Sequence, residues 1–306
     1  MIRTQGLTRR YGHLTAVQTL NLHVPPGTIF GFIGPNGAGK TTTLRMLATL
    51  LRPTAGSFTL DGLDPQRDPA AVRRRIGYLG DIFGLYNDLF VWEYLDYFCR
   101  AYGVEDAAQK TEEVLHLVQL SEKAGEMVGS LSRGMKQRLG IARTLVYEPK
   151  VLLLDEPASG LDPGARIALR DLLKQVRDRG ATVIISSHIL TELSDFCDTV
   201  GLMEKGRMVV SGSIQEILER TRTQLRLILE VLGPVARAVE ALQGLPEIVQ
   251  TKVEGQKIEM GYTGARADLP GVHRRLVEAG VPVVAFFPRA ENLEDLFMRL
   301  STGATN

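Results

Sequence analysis

One loop constrains this sequence more than any other segment, because eight consecutive residues fit the pattern G-x-x-x-x-G-K-[ST]. These residues are Gly34-Pro35-Asn36-Gly37-Ala38-Gly39-Lys40-Thr41. The apolar segment 28–33 before them predicts a buried strand, and segment 42–48 after them predicts a helix. A strand, a glycine-rich turn and a helix in this order allow backbone N–H groups and a helix N-terminus to bind phosphate together. The sequence therefore predicts a phosphate-binding loop.

The motif assigns roles to individual side chains of this loop. The Lys40 ammonium is expected to reach the β- and γ-phosphates of a nucleotide, and the Thr41 hydroxyl is expected to ligate Mg²⁺. We also assign Thr42, at the start of the helix, to the nucleotide site. The alternative is a glycine-rich turn that binds nothing, and the flanking strand and helix argue against it.

Length and composition exclude several classes of protein. The 306 residues suggest two domains, and a formal net charge of +1 gives no overall field toward nucleic acid or a membrane surface. Apolar runs such as 151–154 are far shorter than the roughly 20 residues of a membrane span. Residues 1–5 lack the apolar core of a signal peptide. Cys99 and Cys197 are expected to be reduced thiols of a cytosolic protein, with no Cys or His metal cluster.

Two further predicted strands end in residues suited to phosphate chemistry. The buried strand 151–154 is followed by Asp155, which suits Mg²⁺, and by Glu156, which suits a water-orienting general base. Strand 181–187 ends at His188. A lone histidine is usually structural, but this one lies at the carboxyl end of a strand, where open α/β folds place ligands.

Two other positions are candidates for nucleotide contacts. Segment 89–148 has helical periodicity and predicts a helical insertion, whose last helix begins at the candidate N-cap Ser132. With Gly134 beside it, this helix start is a second anion-binding end. Tyr11 lies between two predicted N-terminal strands, where it either stacks on adenine or packs within a hairpin.

The loop after the predicted strand 76–79 is unusually rich in apolar side chains. It runs Gly80-Asp81-Ile82-Phe83-Gly84-Leu85-Tyr86. Exposed apolar surface often marks a site for a partner. The alternative is burial of these side chains within the subunit.

From Arg222 onward the pattern changes and predicts a second domain. Leu225, Leu227, Leu229 and Val231 alternate as in a half-buried strand. The predicted elements that follow are helix 234–242, hairpin strands 248–253 and 256–262, helix 268–279, strand 281–287 and a closing amphipathic helix 292–300. The order β-α-β-β-α-β predicts a small α+β, ferredoxin-like module without a catalytic constellation.

Five segments follow one another in the order found in ATP-binding cassette (ABC) transporter ATPases, which this chain resembles over about residues 1–218. The segments are the phosphate loop, Leu131-Ser132-Arg133-Gly134-Met135, Asp155-Glu156-Pro157, Ser159-Gly160-Leu161-Asp162 and His188. The chain most resembles nucleotide-binding subunits of bacterial exporters whose membrane part is a separate polypeptide. The resemblance implies an α/β cassette over 1–220, with a helical subdomain at about 87–149. The module at 221–306 resembles the accessory domain that follows some exporter cassettes.

The resemblance also implies a head-to-tail homodimer that holds two ATP molecules. Each ATP would lie between Lys40 of one copy and Ser132-Arg133-Gly134 of the other. Thr41 and Asp155 would hold Mg²⁺, with Asp81 nearby. Tyr11 would stack on adenine.

The remaining implied roles concern hydrolysis and communication. Glu156 would polarise the attacking water, and His188 would hold Glu156 and the γ-phosphate in register. Asp162 would link the two sites across the dimer. Catalysis of this kind consists mainly of positioning and charge stabilisation.

Two positions depart from the general pattern of the family. Arg133 replaces the first glycine of a Gly-Gly pair, and Asp81 corresponds to a glutamine. Relatives in the exporter branch resemble both departures, so we do not interpret them as inactivating. An Asp oxygen can also contact Mg²⁺, which is a hard cation.

The resemblance implies a transmembrane permease subunit that docks near Asp81–Tyr86, and a peripheral location on the cytoplasmic face of the cell membrane. No nucleic-acid partner is expected. The alternative is a soluble ABC ATPase that acts on ribosomes or DNA. Such proteins usually carry two cassettes in one chain or long coiled-coil insertions. A simple P-loop kinase would not explain Leu131–Met135.

Overall fold

The computed structural model describes residues 1–194, 196–221 and 225–289. The chain divides into two compact units between Ile214 and Gln215, before the predicted boundary at residue 220. The predicted closing helix 292–300 lies outside the described residues. Within the described part of the chain, no helix is long and apolar enough to cross a membrane.

The first unit contains an antiparallel three-stranded sheet in the order β2-β1-β4. Its strands are β1 (Ile2–Tyr11), β2 (Leu14–Val24) and β4 (Ala55–Leu60). Tyr11, predicted to lie between the two N-terminal strands, is the last residue of β1. The alternating burial along β1 and β2 is that of strands with one face on a core.

A six-stranded sheet in the order β5-β6-β7-β3-β8-β9 forms the centre of this unit. Its strands are β3 (Ile29–Ile33), β5 (Ile76–Leu79), β6 (Val151–Leu154), β7 (Thr182–Ser187), β8 (Thr199–Glu204) and β9 (Arg207–Gly212). All pairs are parallel except β8–β9. Every residue of β3, β6 and β7 is buried, as expected for strands covered on both faces. The loops after β3, β5, β6 and β7 therefore leave the sheet at one common edge, the carboxyl edge.

Helices surround this sheet and build the helical insertion. They are α1 (Lys40–Leu47), α2 (Pro69–Arg73), α3 (Val91–Ala101), α4 (Ala107–Leu117), α5 (Arg133–Leu145), α6 (Pro163–Asp178) and α7 (Leu190–Ser194). Helix α8 (Ile214–Thr221) begins at the boundary between the two units. The insertion predicted at 89–148 consists of α3, α4 and α5, with two short 3₁₀ turns between α4 and α5.

The hairpin β8–β9 was not predicted from the sequence. Its turn places Lys205 and Gly206 at φ values of 46° and 80°. Two-residue turns of this kind usually carry Asn or Asp before the glycine, and Lys205 gives no such signal. Helix α7 is only five residues long, which is too short for a helical period to show in the sequence.

The second unit has an antiparallel four-stranded sheet in the order β11-β12-β10-β13. Its elements are β10 (Leu225–Val231), α9 (Val235–Gln243), β11 (Ile248–Glu254), β12 (Lys257–Tyr262), α10 (Leu269–Glu278) and β13 (Val283–Pro288). The order along the chain is the predicted β-α-β-β-α-β. The alternating leucines of β10 point into a core shared with residues of both helices, such as Ala238 and Leu276.

Candidate functional site

The phosphate loop joins β3 to α1, and its glycines have conformations that other residues rarely adopt. Gly37 and Gly39 have φ values of 80° and 105°. Gly39 is the N-cap of α1, and its Cα lies so close to the Ala16 carbonyl that a side chain would collide with it. This tight curl turns the loop back over the start of α1, where backbone N–H groups can face an anion.

Lys40 is the first residue of α1, and its side chain is only 6% exposed. Its Nζ donates to the Gly34 carbonyl at 2.6 Å and to the Pro35 carbonyl at 3.3 Å. The same ammonium lies 3.2 Å from Oε1 of Glu156. The lysine is therefore held against its own loop while it faces the acid that follows β6.

Asp155, at the end of β6, is buried and receives two hydroxyl donors. Oδ1 of Asp155 accepts from the Thr41 hydroxyl at 3.1 Å and from the Ser186 hydroxyl at 2.7 Å. The Ser186 oxygen also accepts from the backbone N–H of Glu156 at 2.9 Å. Ser186 was not predicted as a site residue, and its signal is a polar residue near the carboxyl end of a strand whose centre is apolar. The hydroxyl of Thr41 and the carboxylate of Asp155 are hard oxygen ligands of the kind Mg²⁺ prefers.

Glu156 combines an unusual backbone conformation with two charged or polar neighbours. Its φ is 50°, a left-handed value that costs a non-glycine residue about 1 kcal/mol or more. Oε2 accepts from Nδ1 of His188 at 2.7 Å and from the His188 backbone N–H at 3.3 Å. With Lys40 on Oε1, the carboxylate lies between a cation and an imidazole. An oriented carboxylate of this kind can accept a proton from a water molecule.

A second group of predicted residues lies at the starts of α5 and α6. The Ser132 hydroxyl caps α5 by accepting from the Met135 backbone N–H at 3.3 Å. The Asp162 carboxylate caps α6 by accepting from the Ala165 backbone N–H at 2.9 Å. Gly134 lies so close to Ala165 that a Cβ at residue 134 would come within 2.8 Å of the Ala165 Cβ. The two helix starts therefore pack against each other within one copy.

These two groups of residues are not joined within one copy. In the part of the chain that the structure describes, no hydrogen bond or ion pair links Ser132, Arg133 or Gly134 to Lys40 or Glu156. The sequence-predicted site is thus present as two separate clusters, one around the phosphate loop and one at the start of α5.

Asp81 follows β5 and is exposed, and it makes no hydrogen bond or ion pair within the described residues. The charge of Asp81 affects the pKa of Tyr78 in β5. Burial raises the pKa of Tyr78, a hydrogen bond from Arg45 opposes this, and the charges of Asp155 and Asp81 raise the pKa further. Asp81 and Asp155 therefore both act electrostatically on Tyr78, a residue that was not predicted to belong to the site.

Tyr11, at the end of β1, has a side chain that is 45% exposed. The Arg9 guanidinium lies over its ring, 4.6 Å from the centroid. Arg9 also donates to the Arg52 carbonyl at 2.8 Å, which fixes the guanidinium against the turn before β4. The ring is thus supported on one face by a cation and remains accessible.

The loop Asp81–Tyr86 divides its apolar side chains between the subunit and solvent. Ile82 is 94% exposed. Phe83 is half-buried, and its ring lies where a Cβ at Gly140 of α5 would come within 2.6 Å of it. Tyr86 is 55% exposed and packs on Tyr97 and Phe98 of α3. The loop is therefore anchored to the helical insertion and presents Ile82 outward.

Comparison with known proteins identifies relatives along the whole chain. Residues 17–159 match the family described as ABC transporter. The chain is 35% identical over 308 aligned positions to the bacitracin transport ATP-binding protein BcrA of Bacillus licheniformis, covering 100% of this chain and 98% of that protein. It is 34% identical to the daunorubicin resistance ATP-binding protein DrrA3 of Streptomyces coeruleorubidus, covering 98% and 95%. It is also 34% identical to the Nod factor export ATP-binding protein I of Paraburkholderia xenovorans, covering 98% and 96%.

Solved structures agree with this relationship. The ATP-binding subunit of an ABC transporter superposes with a TM-score of 0.65 at 28% identity, covering 72% of this chain and 92% of that one. A dimeric bacterial ABC transporter cassette superposes with a TM-score of 0.63 at 25% identity, covering 70% and 99%. The relatives match the full length, whereas these solved structures match about the length of the first unit. The chain therefore belongs to the ABC transporter family, as one of its ATP-binding ATPases.

Proposed function

We propose that this chain is the ATP-hydrolysing subunit of an exporter and that it drives a separate transmembrane subunit from the cytoplasmic face of the membrane. The observation that carries this proposal is the similarity over nearly the whole chain to proteins named for bacitracin transport, daunorubicin resistance and Nod factor export. Nothing among these relatives favours a soluble ABC ATPase that acts on ribosomes or nucleic acid.

The nucleotide site is composite in this proposal. ATP lies between the phosphate loop with Lys40 of one copy and Ser132-Arg133-Gly134 of a second copy, in a head-to-tail homodimer. The separation of the two clusters within one copy supports this arrangement, because neither cluster alone surrounds a γ-phosphate. The dimeric cassette among the similar solved structures also supports it. Adenine stacks on the face of Tyr11 opposite Arg9.

The Thr41 hydroxyl and the Asp155 carboxylate, whose oxygens are 3.1 Å apart, would hold Mg²⁺, with Asp81 nearby. This donor set fits the ion, because Mg²⁺ is bound by one or two carboxylates together with substrate phosphates and water. When bound, the ion neutralises the charge that develops on the phosphates. Ser186 keeps the Asp155 carboxylate in place through its 2.7 Å hydrogen bond.

Hydrolysis depends on how the chain holds Glu156. His188 fixes one carboxylate oxygen at 2.7 Å, and the backbone of Glu156 is anchored to Ser186. Glu156 then accepts a proton from the attacking water, His188 maintains its orientation, and Lys40 stabilises charge on the phosphates. Asp162 caps α6 and links the two sites across the dimer.

The remaining parts of the chain serve coupling and assembly. The outward-facing Ile82, in the loop Asp81–Tyr86, contacts the transmembrane subunit.

The unit from residue 221 onward is a ferredoxin-like accessory domain that supports dimerisation or regulation, and residues 1–220 are the cassette. The strand order of the four-stranded sheet supports the assignment of this accessory domain. In that sheet β10, the first strand along the chain, lies between the third strand, β12, and the fourth strand, β13.

Co-purification tests the exporter proposal most simply. The chain is expressed together with the membrane protein encoded beside it, and the complex is isolated in detergent. We expect a stable complex whose ATPase activity responds to the transported compound. Failure to associate with any membrane protein, together with co-purification of ribosomes or DNA, would favour the alternative.

A further inference from the structure

Arg133 stands where the general family pattern has a glycine, and its side chain makes a contact that a glycine cannot make. Within the described residues Arg133 makes no hydrogen bond or ion pair. Its guanidinium instead lies directly against Gly160, where it occupies the space that a Cβ at residue 160 would take. Gly160 has a φ of 66°, so this position favours glycine for its backbone as well.

A second contact reinforces the first. Gly134 packs on Ala165, with no room for a larger residue at position 134. The start of α5 and the segment from Gly160 to the first turn of α6 thus form one packed block within a copy. Gly134 is buried and Arg133 is exposed, so the contact of Gly134 with Ala165 is the close-packed one that transmits displacement, and Arg133 adds a surface contact to it.

The segment that Arg133 covers is a direct continuation of Glu156. The Ser159 backbone N–H donates to the Glu156 carbonyl at 3.1 Å, and the Leu161 backbone N–H donates to the Ala158 carbonyl at 3.2 Å. Two successive turns therefore connect Glu156 to Gly160. A displacement of the start of α5 reaches Glu156 of the same copy through Arg133, Gly160 and these turns.

On the basis of the proposed function, we propose that Arg133 is a positioning residue that couples the two ATP sites of the dimer. Its backbone faces the nucleotide of the second copy. Its guanidinium, in contact with Gly160, links ATP closure at that nucleotide to Glu156 of its own copy. ATP closure at one site thereby sets the water-polarising carboxylate at the other.

The test measures cooperativity of ATP hydrolysis by the purified full-length chain, with Mg²⁺. We expect a wild-type Hill coefficient clearly above 1, with a ceiling of about 2 for two sites, and a value near 1 for Arg133→Ala. Equilibrium binding of ATP to the monomer should stay within about twofold of wild type, because the phosphate loop is untouched. Arg133→Lys should behave like Arg133→Ala, since an ammonium keeps the charge but lacks the planar group that rests on Gly160.

A second variant displaces the guanidinium without changing Arg133. In Gly160→Ala the new methyl group expels the arginine from its seat, and we expect the Hill coefficient to fall as in Arg133→Ala. Gly62→Ala is the matched control, because Gly62 has a φ of 78° and open space around its Cα. The Gly62→Ala substitution should impose similar backbone strain and leave the Hill coefficient unchanged. In the double variant with Arg133→Ala, Gly160→Ala should lower the Hill coefficient less than it does alone, because the Arg133 side chain that it displaces is absent.

Several results would overturn the proposal. Wild-type cooperativity in Arg133→Ala or in Arg133→Lys would show that coupling does not need the contact between the guanidinium and Gly160. A rise in the KM for ATP at an unchanged Hill coefficient would show that the guanidinium contacts phosphate directly. Non-cooperative hydrolysis by the wild-type chain would refute the coupling and leave the proposed function intact. A wild-type chain that does not hydrolyse ATP would refute the proposed function itself.

Discussion

The carboxyl edge and the opposite, amino edge of the six-stranded sheet each carry a nearly buried lysine paired with a glutamate. At the carboxyl edge the pair is Lys40 with Glu156, and at the amino edge it is Lys110 with Glu148. The lysine side chains are 6% and 11% exposed. Both glutamates have a left-handed backbone, with φ values of 50° and 52°. The glutamates differ in burial, because the Glu156 side chain is 13% exposed and the Glu148 side chain is 76% exposed. By burial of the lysine, charge and backbone strain alone, the two pairs look alike.

They differ in what else surrounds the charges. Lys40 also donates to two carbonyls of the phosphate loop, and Glu156 also contacts His188. Lys110 instead has a second carboxylate partner, Glu113, at 2.8 Å, and Glu113 pairs with Arg179 beyond α6 at 3.1 Å. The amino edge is therefore a closed ionic network that ties α4 to the core, whereas the carboxyl edge combines its charges with a glycine loop and a histidine.

A nearly buried lysine paired with a glutamate of left-handed backbone is thus a poor indicator of catalysis by itself. Structural ion-pair networks perturb their members just as functional sites do. The catalytic role proposed for Glu156 rests instead on its position at the carboxyl ends of parallel strands, beside the predicted phosphate loop.

The largest expected effect comes from replacing the two glutamates in turn. Glu156→Gln should lower ATP turnover by roughly 10²–10⁴, the usual contribution of a positioned base, while ATP binding persists and a closed dimer accumulates. Glu148→Gln is the matched control at the amino edge and should keep turnover within about twofold. Steady-state ATPase assays and sedimentation in ATP measure both. Equal losses of ATP turnover in the two variants would show that the two ion pairs do not differ in function.

The next effect concerns the second half of the carboxyl-edge site. Ser132→Arg should leave ATP binding to the monomer intact but weaken ATP-dependent dimerisation by about 10- to 100-fold, because overpacking a close contact costs about 1–3 kcal/mol. Ser121→Arg, on another exposed serine of the helical insertion, should have no such effect. Sedimentation at increasing protein concentration gives the dissociation constants. Collapse of ATP affinity in the Ser132→Arg monomer would contradict the composite site.

A smaller effect is expected at the loop that leaves the carboxyl edge after β5. Ile82→Asp should weaken binding of the membrane subunit by about 10-fold, because burying an unpaired polar group costs about 1–3 kcal/mol on mutational scales. ATPase activity of the isolated chain should remain unchanged. Leu50→Asp, at another exposed aliphatic residue, is the control. Phe83→Asp should weaken binding too, but Phe83 also packs on Gly140, so Ile82 separates docking from folding more cleanly. Normal complex assembly in Ile82→Asp would remove the loop from the coupling pathway.

The smallest effect belongs to the amino edge and depends on pH. The hydrogen bond from Lys110 holds the pKa of Glu113 below its usual range, against the opposing effect of burial. A depressed carboxylate pKa stabilises the fold above the unfolded-state pKa, and this contribution is lost as the pH falls through the folded-state pKa. Because Glu113 is 46% exposed, solvent screens the contribution to about 0.5 kcal/mol.

Chemical denaturation checks this prediction. Glu113→Gln should lower the free energy of unfolding at pH 7, and the difference from wild type should disappear as the pH falls through the folded-state pKa of Glu113. Glu112→Gln changes a neighbouring exposed glutamate of α4 and should leave stability unaltered. A difference that grows on acidification would have the wrong sign for this account.

The sequence predicted most of the fold because its signals are local. The phosphate loop, the alternation of β10 and the buried runs of β6 and β7 are each visible within a few residues. The hairpin β8–β9 was missed because its turn carries Lys205 rather than a typical turn residue.

The site was predictable as a set of residue types but not as a set of contacts. The hydrogen bond between Ser186 and Asp155, the seat of Arg133 on Gly160 and the bridge from Arg179 to Glu113 all join residues far apart in the chain. Such contacts depend on how helices pack on the sheet, which no local pattern specifies.

Mixing two inactive variants tests the central claim, a catalytic site completed by a second copy, most directly. One variant carries Lys40→Ala and the other carries Ser132→Arg, so each is defective at both sites of its own homodimer. In a head-to-tail mixed dimer, one site keeps Lys40 from the second variant and Ser132 from the first. We predict that the mixture regains ATPase activity that neither variant shows alone. If no activity returns at any mixing ratio although mixed dimers form, each site lies within a single copy and the account is wrong.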